Sequence, residues 1–267
     1  MRKNDLKRKI RHYDTLYEVS MNDINLSSFE VKDELNPKLW VNDKINSRVR
    51  VRLLDIADDF IDSLSTNWAK PKDIVITGSL ANYNWSKYSD IDLHVIVDYK
   101  EVYKKSEFVE DYFKSKKDAW NKSHENLKIY GFPVELYVED LNNPTHSSGV
   151  FSLLKNKWVK EPKNMDDALM NQDYIKDVSA KYMTQIDKME EKLEKDLNTK
   201  EIRKINAEAK RLLNKLKDKR KKGLDTKAQE MSSGNIIWKV LRREKYVKKL
   251  TKIIDDTYNE MKSYGDD

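Results

Sequence analysis

Two small polar clusters carry the chemistry that can be inferred most directly from this sequence of 267 residues. Gly78-Ser79 follows a short apolar run, and Asp90 and Asp92 open a second apolar run after ten intervening residues. A glycine lets the main chain approach a phosphate because it has no Cβ, and a serine hydroxyl can donate a hydrogen bond to that phosphate. Two neighbouring carboxylates repel each other unless a cation lies between them, and Mg²⁺ prefers such oxygen ligands. The two clusters together indicate metal-assisted phosphate chemistry.

Strand alternation predicts that the second cluster presents its polar side chains together. The seven residues from Ser89 read SDIDLHV, and polar residues alternate with apolar ones, which is typical of a half-buried strand. Because side chains alternate across a strand, Asp90, Asp92 and His94 are predicted to share one face. His94 could therefore touch a phosphate or an acceptor, although a hydrogen-bonded structural histidine is the alternative.

The elements around the first cluster can be predicted as well. The β-branched run at residues 74–76 predicts a buried strand that ends at Gly78. Residues 80–82 are predicted to open a helix, whose N-terminus would favour an anion. Lys87 lies in the segment between the two clusters and could contact a phosphate, with a solvated loop as the alternative. Aromatic residues nearby could stack on a base, although packing explains them equally well: Tyr83, Trp85, Tyr88 and Tyr137.

The pattern Gly78-Ser79 followed by Ser89-Asp90-Ile91-Asp92 resembles the signature of the DNA polymerase β-type nucleotidyltransferase superfamily. The resemblance covers roughly residues 50–140. It implies magnesium chemistry on a bound nucleoside triphosphate such as ATP, and it does not imply an acceptor. More loosely, the whole chain resembles nucleotidyltransferase-domain proteins of bacteriophage genomes.

The superfamily pattern calls for a third carboxylate on a neighbouring strand, and Glu135 is the candidate. Residues 134–138 alternate, so that their apolar side chains would face the core and Glu135 the opposite side. An ordinary solvent-facing strand residue is the alternative interpretation. Glu139 and Asp140 are poorer candidates, because they lie where the strand should end.

These ligands would support a two-metal mechanism. Two Mg²⁺ ions, with Mn²⁺ as the alternative ion, would clamp the attacking and the leaving oxygen of an in-line displacement. We expect Asp90 and Asp92 to hold both ions and Glu135 to hold the catalytic one, near the acceptor hydroxyl. The candidate contacts to the nucleotide are Gly78, Ser79, Lys87 and His94.

Composition narrows the class of protein. Charged residues make up 37% of the chain, with only 6 glycines and 5 prolines, which favours long solvated helices over a sheet-rich protein. The lack of cysteine excludes disulfides and thiolate metal sites. The first residues lack an apolar signal core, and no apolar run approaches the roughly 18 residues of a membrane span. We therefore expect a soluble, cytoplasmic protein that has no membrane partner, and the resemblance to bacteriophage proteins implies a bacterial or phage-infected cell.

The predicted fold is α+β, with a nucleotidyltransferase core of a small mixed sheet flanked by helices, followed by a C-terminal helical domain. The predicted boundaries are 1–46 for an N-terminal arm and lead-in, 47–145 for the catalytic core and 146–267 for the helical domain. Apolar stripes of helical period predict the main helices. They are expected at about 47–64, 101–123, 175–193, 200–222 and 233–262.

The predicted helix 200–222 has the strongest charge asymmetry. Its residues 203–222 include ten basic and two acidic ones, a net charge of +8, whereas the whole chain carries +6. A phosphate-binding surface for RNA, such as a tRNA 3′ end, is one interpretation, and a solvated helix face is the other. A cyclic-nucleotide synthase or a protein-modifying, toxin-type transferase is the alternative enzyme. An inactive nucleotidyltransferase fold that serves as a binding module is the alternative outside enzymes.

Overall fold

The computed structural model describes residues 19–64, 70–103, 106–143, 147–163 and 170–263. The chain divides into two compact units, Ser28–Asp166 and the combination of Met1–Ser27 with Asp167–Asp267. Most of the basic arm predicted at the N-terminus lies outside the described residues. By its contacts, the lead-in from residue 28 to residue 46 belongs to the first unit.

A mixed sheet forms the centre of the first unit. Its described elements are β1 (Trp40–Val41), β2 (Lys44–Ile45), α1 (Ser47–Ser63), β3 (Asp73–Thr77), β4 (Ile91–Val97), α2 (Tyr99–Val102), α3 (Ser106–Ser123), β5 (Lys128–Ile129), β6 (Phe132–Asp140), β7 (Val150–Ser152) and β8 (Lys157–Lys160). Within the described ranges, six strands form a sheet in the order β5-β6-β4-β3-β7-β8, and β1 pairs with β2 separately. The predicted α+β class is confirmed.

The pairing of β4 determines which residues become neighbours. β4 runs antiparallel to β3 and parallel to β6, and the helices α2 and α3 lie in the connection from β4 to β6. A parallel pair needs such a crossover, because its second strand must start at the same end as the first. Both central strands are largely buried, and alternate residues of each join the hydrophobic core, so the core helps to hold their register.

Helix α1 packs against the sheet, and the side chain of Asn121 covers part of one sheet edge. The buried stripe of α1 joins the same hydrophobic core as the central strands, as the period of its sequence predicts. Beyond β5, the exposed edge of β6 is closed by Asn121 of α3, whose amide donates to the Leu136 carbonyl at 2.9 Å and accepts from the Leu136 N–H at 3.0 Å. An amide side chain therefore replaces a strand partner at this position.

The helix predicted to open at residues 80–82 was wrong. Ser79–Ala81 form a single 3-10 turn, and Asn82 is already extended, with φ −144° and ψ 178°. The Asn82 amide donates to the Gly78 carbonyl at 2.6 Å and accepts from the Ser148 hydroxyl at 2.6 Å. These bonds tie the turn to the segment before β7 and end the helical conformation after one turn.

The second unit is helical. Its described helices are α4 (Gln172–Leu193), α5 (Thr199–Leu224), α6 (Ser233–Arg243) and α7 (Tyr246–Lys262). The single helix predicted over 233–262 was wrong, because Lys245 adopts a left-handed conformation with φ 65° between α6 and α7. No glycine or proline marks this break, so the apolar period continues across it. In the described part of the chain, no helix is long and apolar enough to cross a membrane.

The helix predicted at about 200–222 corresponds to α5, which continues through Gly223 to Leu224. Gly223 is buried, and a Cβ added there would lie 2.4 Å from the hydroxyl oxygen of Ser232, the N-cap of α6. The glycine therefore permits the close approach of two helix ends.

Candidate active site

The sheet brings together the three predicted carboxylates. Asp92 on β4 pairs in register with Glu135 on β6, and Asp90 directly precedes β4. One ligand oxygen from each of the three side chains lies within 4.8 Å of those of the other two, and all three residues are half-buried. We call Asp90, Asp92 and Glu135 the carboxylate triad. Three negative groups at this separation form a set of hard oxygen donors, which suits Mg²⁺ or Mn²⁺.

Gly78 lies directly against the triad. Its φ is +70°, and a Cβ built on it would lie 1.7 Å from Oδ2 of Asp92. The position therefore requires glycine for two reasons, because the left-handed backbone disfavours a side chain and the Asp92 carboxylate occupies the space a Cβ would need. The sequence predicted that a phosphate would approach the main chain here, whereas in the structure the space beside Gly78 is occupied by Oδ2 of Asp92.

Two serine hydroxyls connect the two polar clusters. Ser79 donates a hydrogen bond from Oγ to Oγ of Ser89 at 2.8 Å, and Ser89 Oγ accepts the N–H of Ser86 at 2.9 Å. Ser89 is buried and immediately precedes Asp90. The Ser79 hydroxyl would have to leave Ser89 to donate to a phosphate. Ser89 had no assigned role in the sequence analysis, although its place in the motif was visible.

Lys87 and His94, both predicted to contact the nucleotide, lie in different surroundings, one exposed and one buried. Lys87 is exposed, and its Nζ lies 5.1 Å from the ring centroid of Tyr88. His94 is buried, and its Nδ1 lies 2.8 Å from Oε1 of Glu139 without a well-aligned hydrogen bond. Its ring stacks on Tyr137 with a centroid distance of 4.7 Å. These surroundings resemble those of a structural histidine, the alternative offered by the sequence.

Tyr137 belongs to the site through a contact that the sequence analysis did not predict. Its hydroxyl donates to Oε2 of Glu135 at 2.6 Å. Burial raises the pKa of Tyr137 above its ordinary value, and the negative charges of Asp92 and Glu135 raise it further. The hydroxyl therefore stays protonated and remains a donor. The sequence could have indicated this contact, because Tyr137 follows Glu135 by two residues and therefore lies on the same face of the strand.

In the second unit, the basic residues of α5 lie largely on its exposed surface. Three of the ten basic side chains contact tyrosine rings: Lys210 lies 5.6 Å from the ring centroid of Tyr258, and Lys215 and Lys219 lie 5.8 Å and 5.6 Å from that of Tyr182. The apolar side of the helix packs on α6 and α7. Part of the positive charge is thus held in place by aromatic rings.

Comparison with known proteins identifies the domain. The sequence profile of the nucleotidyltransferase domain family matches residues 57–161, a segment that contains all six strands of the described sheet. No curated protein sequence matches the chain. Among solved structures, a STING-associated CdnE c-di-GMP synthase from Capnocytophaga granulosa is similar at 11% sequence identity, over 84% of this chain and 90% of that chain, with a TM-score of 0.20. The profile match and the mixed sheet together show that residues 57–161 are a nucleotidyltransferase domain of the DNA polymerase β type, the domain of enzymes that transfer a nucleotidyl group from a nucleoside triphosphate.

Proposed function

We propose that this chain is a divalent-metal-dependent nucleotidyltransferase whose ions are held by Asp90, Asp92 and Glu135 and whose acceptor is an RNA hydroxyl. The observation that carries the proposal is the convergence of these three carboxylates beside Gly78. Their mutual repulsion costs free energy in the folded protein unless a cation compensates it. A bound divalent cation is the simplest ligand that would offset this repulsion.

The donor set fits such ions. It consists of carboxylate oxygens, within 4.8 Å of one another and shielded by partial burial. Bound divalent ions would neutralise the triphosphate and stabilise both the attacking and the leaving oxygen of an in-line displacement.

Each triad residue has its own structural role. Asp92 is held by pairing on both sides of its strand, with Thr77 of β3 and Glu135 of β6. Asp90 lies directly before β4, at the end of the strand where the triad gathers. Glu135 projects from the neighbouring parallel strand, and we assign its carboxylate to orient the acceptor hydroxyl and take up its proton.

The main chain at Gly78 and the hydroxyl of Ser79 are the proposed contacts to the triphosphate. They follow β3 directly and lie at the same end of the sheet as Asp92. Lys87 is exposed on the segment between them and Asp90, so that it can approach a phosphate from solvent. An ammonium group and a hydroxyl together would orient the phosphates without taking part in bond formation.

The basic helix α5 supports a nucleic-acid acceptor. Residues 203–222 carry a net charge of +8, although the chain as a whole carries only +6. Positive charge concentrated on one helix attracts phosphate backbones, since each contact releases condensed counterions. The exposed ring of Tyr258, beside Lys210, offers a stacking surface of the kind that single strands use.

Label transfer tests this function. The full chain is incubated with each α-labelled nucleoside triphosphate and Mg²⁺, with total RNA, with cell extract or without an acceptor. We expect label in RNA, and we expect no label in RNA with EDTA or with Asp90→Ala. Asp59→Ala serves as the matched control, because Asp59 is an exposed acid of α1 outside the triad.

Three results would contradict the proposal. Label in a protein or in a free cyclic product would replace the RNA acceptor by the corresponding alternative. Turnover that persists in EDTA would remove the metal. A wild-type chain that binds triphosphates but turns none over, with Mg²⁺ or Mn²⁺, would make the domain a binding module.

A further inference from the structure

We infer that Tyr137 is a positioning residue for Glu135: its hydroxyl holds one carboxylate oxygen, Oε2, so that the other is presented to the metal site. This inference rests on the proposed function, because it assigns to Tyr137 a role that acts through a triad residue. It adds a residue outside the signature motif to the machinery of transfer.

The hydrogen bond itself is short and charge-assisted. The Tyr137 hydroxyl lies 2.6 Å from Oε2 of Glu135, within the range of O–H donors to carboxylates. Tyr137 and Glu135 are two residues apart on β6, so their side chains leave the same face of the strand. A glutamate has three side-chain torsions, and this bond restricts the last of them.

The Tyr137 ring is itself held by its neighbours. It stacks on the buried ring of His94 at 4.7 Å between centroids, with an interplanar angle of 24°. Nζ of Lys117, on α3, lies 4.9 Å from the same ring centroid. His94 is in turn 2.8 Å from a carboxylate oxygen of Glu139. The hydroxyl therefore occupies a fixed place before any ligand arrives.

The backbone between the two side chains is fixed as well. Leu136 separates Glu135 from Tyr137, and both its N–H and its carbonyl are bonded by the Asn121 amide. On the other side, β6 is paired in register with β4 along its length. The donor and the acceptor of the hydrogen bond thus project from a strand that cannot shift by a residue.

The need for a tether follows from the charges. In the metal-free protein Glu135 faces Asp90 and Asp92, and like charges push a flexible carboxylate away from the cluster. The Tyr137 hydroxyl opposes that movement, because a hydrogen bond to a charged group is lost if Glu135 turns outward. We expect the bond to preserve the geometry that an ion and an acceptor hydroxyl require.

The test compares the deletion of two hydroxyls, each of which donates a hydrogen bond to a residue of β6. Tyr137→Phe removes the donor to Glu135 and keeps the ring that stacks on His94. Tyr99→Phe is the matched control, because the Tyr99 hydroxyl donates to the main-chain carbonyl of Val138 on β6, at 3.2 Å, and not to the triad. Transfer kinetics and Mn²⁺ binding, followed by the electron paramagnetic resonance of free Mn²⁺, are measured for both variants and for the wild type.

The expected result separates the two variants. Because a hydrogen bond to a charged group is worth roughly a tenfold to hundredfold factor, Tyr137→Phe should lower kcat at least about tenfold and raise the Kd of Mn²⁺ several-fold. The KM of the nucleoside triphosphate should change by less than about threefold, since ground-state contacts to the substrate remain. Tyr99→Phe should leave kcat, KM and the Kd of Mn²⁺ at wild-type values.

A thermodynamic cycle tests whether the effect passes through Glu135. In a Glu135→Ala background, Tyr137→Phe should leave the Kd of Mn²⁺ unchanged, because the side chain it positions is gone. A wild-type Kd in the single variant Tyr137→Phe would overturn the inference, and so would a full effect in the Glu135→Ala background. A wild-type chain that neither binds Mn²⁺ nor transfers a nucleotide would instead overturn the proposed function itself.

Discussion

Two acidic sites at opposite ends of β3 and β4 differ in the groups that lie closest to their carboxylates. At one end, Asp73 is buried, accepts a hydrogen bond from the Ser152 hydroxyl at 2.7 Å, and lies 2.8 Å from Nζ of Lys155. At the other end, roughly 13 Å away along the strand, Asp92 faces two further carboxylates of the triad. The same pair of strands thus carries an acid with its own cation and a cluster of acids gathered at one point.

We interpret Asp73 as a structural carboxylate and the triad as a site for a ligand. The chain supplies both a counter-charge and a hydrogen-bond donor for Asp73, so this carboxylate needs no bound ligand in the folded protein. The triad collects like charges where a fold selected for stability alone would spread them apart. Substitution at the two sites should therefore affect different properties, activity at the triad and stability at Asp73.

The largest effect is expected from Asp92→Asn, which keeps the shape of the side chain against Gly78 and removes the charge. The transfer rate should fall at least about a thousandfold, equivalent to ~4 kcal/mol in the barrier. The free energy of unfolding in EDTA, measured by urea denaturation, should stay the same or rise, because repulsion within the triad is relieved. A rate within about tenfold of the wild type would remove Asp92 from the metal site.

Glu135→Gln should produce the next largest effect. The amide preserves shape and the bond from Tyr137 but loses the charge that holds the catalytic ion and accepts the proton. We expect turnover to fall about a hundredfold, ~2.7 kcal/mol in the barrier, with triphosphate binding retained in equilibrium titrations. Full activity would transfer the role of the third carboxylate to Glu139 or Asp140, the acids at the end of the same strand.

Metal binding should distinguish the two acidic sites in a stability measurement. Mn²⁺ at a hundred times its Kd should raise the free energy of unfolding of the wild type by about 2.7 kcal/mol. Asp92→Asn should lose this gain, whereas Asp73→Ala should keep it. Equal stabilisation of all three proteins would place the ion elsewhere.

The smallest effects are expected at Asp73 and its partner. Asp73→Ala should lower the free energy of unfolding by about 2 kcal/mol, because the buried Ser152 hydroxyl loses its acceptor. Lys155→Ala should cost no more than about 1 kcal/mol, since the Lys155 side chain is 54% exposed and its ion pair is screened. Thermal or urea unfolding measures both, and transfer activity should survive in each variant. A larger loss for Lys155→Ala than for Asp73→Ala would contradict this order.

Local patterns account for much of what could be predicted. Alternation along β4 and β6 is a property of the strand itself, so the shared face of Asp90 and Asp92 and the direction of Glu135 follow from short segments. The apolar stripes of α1, α4 and α5 are equally local. Alternation does not predict the register that sets Asp92 opposite Glu135. That register depends on the pairing of two strands that two helices separate in the sequence.

The failures have the same origin in contacts across the chain. Residues 80–82 have helical potential, but the hydrogen bond of Asn82 with Ser148, distant in sequence, ends the turn. Lys245 breaks the last helical pattern with no glycine or proline to signal it. Gly78 was predicted to let the main chain approach a phosphate, whereas the neighbour that excludes a side chain there, Asp92, lies on another strand.

A crystal structure with Mn²⁺ and a non-hydrolysable nucleoside triphosphate tests the central claim most directly. Anomalous scattering at the manganese edge locates the ions independently of the protein coordinates. We predict manganese peaks at about 2.1–2.2 Å from carboxylate oxygens of Asp90, Asp92 and Glu135, with the triphosphate beside Gly78 and Ser79. A bound triphosphate whose manganese ions contact none of these three carboxylates would contradict the assignment of the triad as the catalytic metal site.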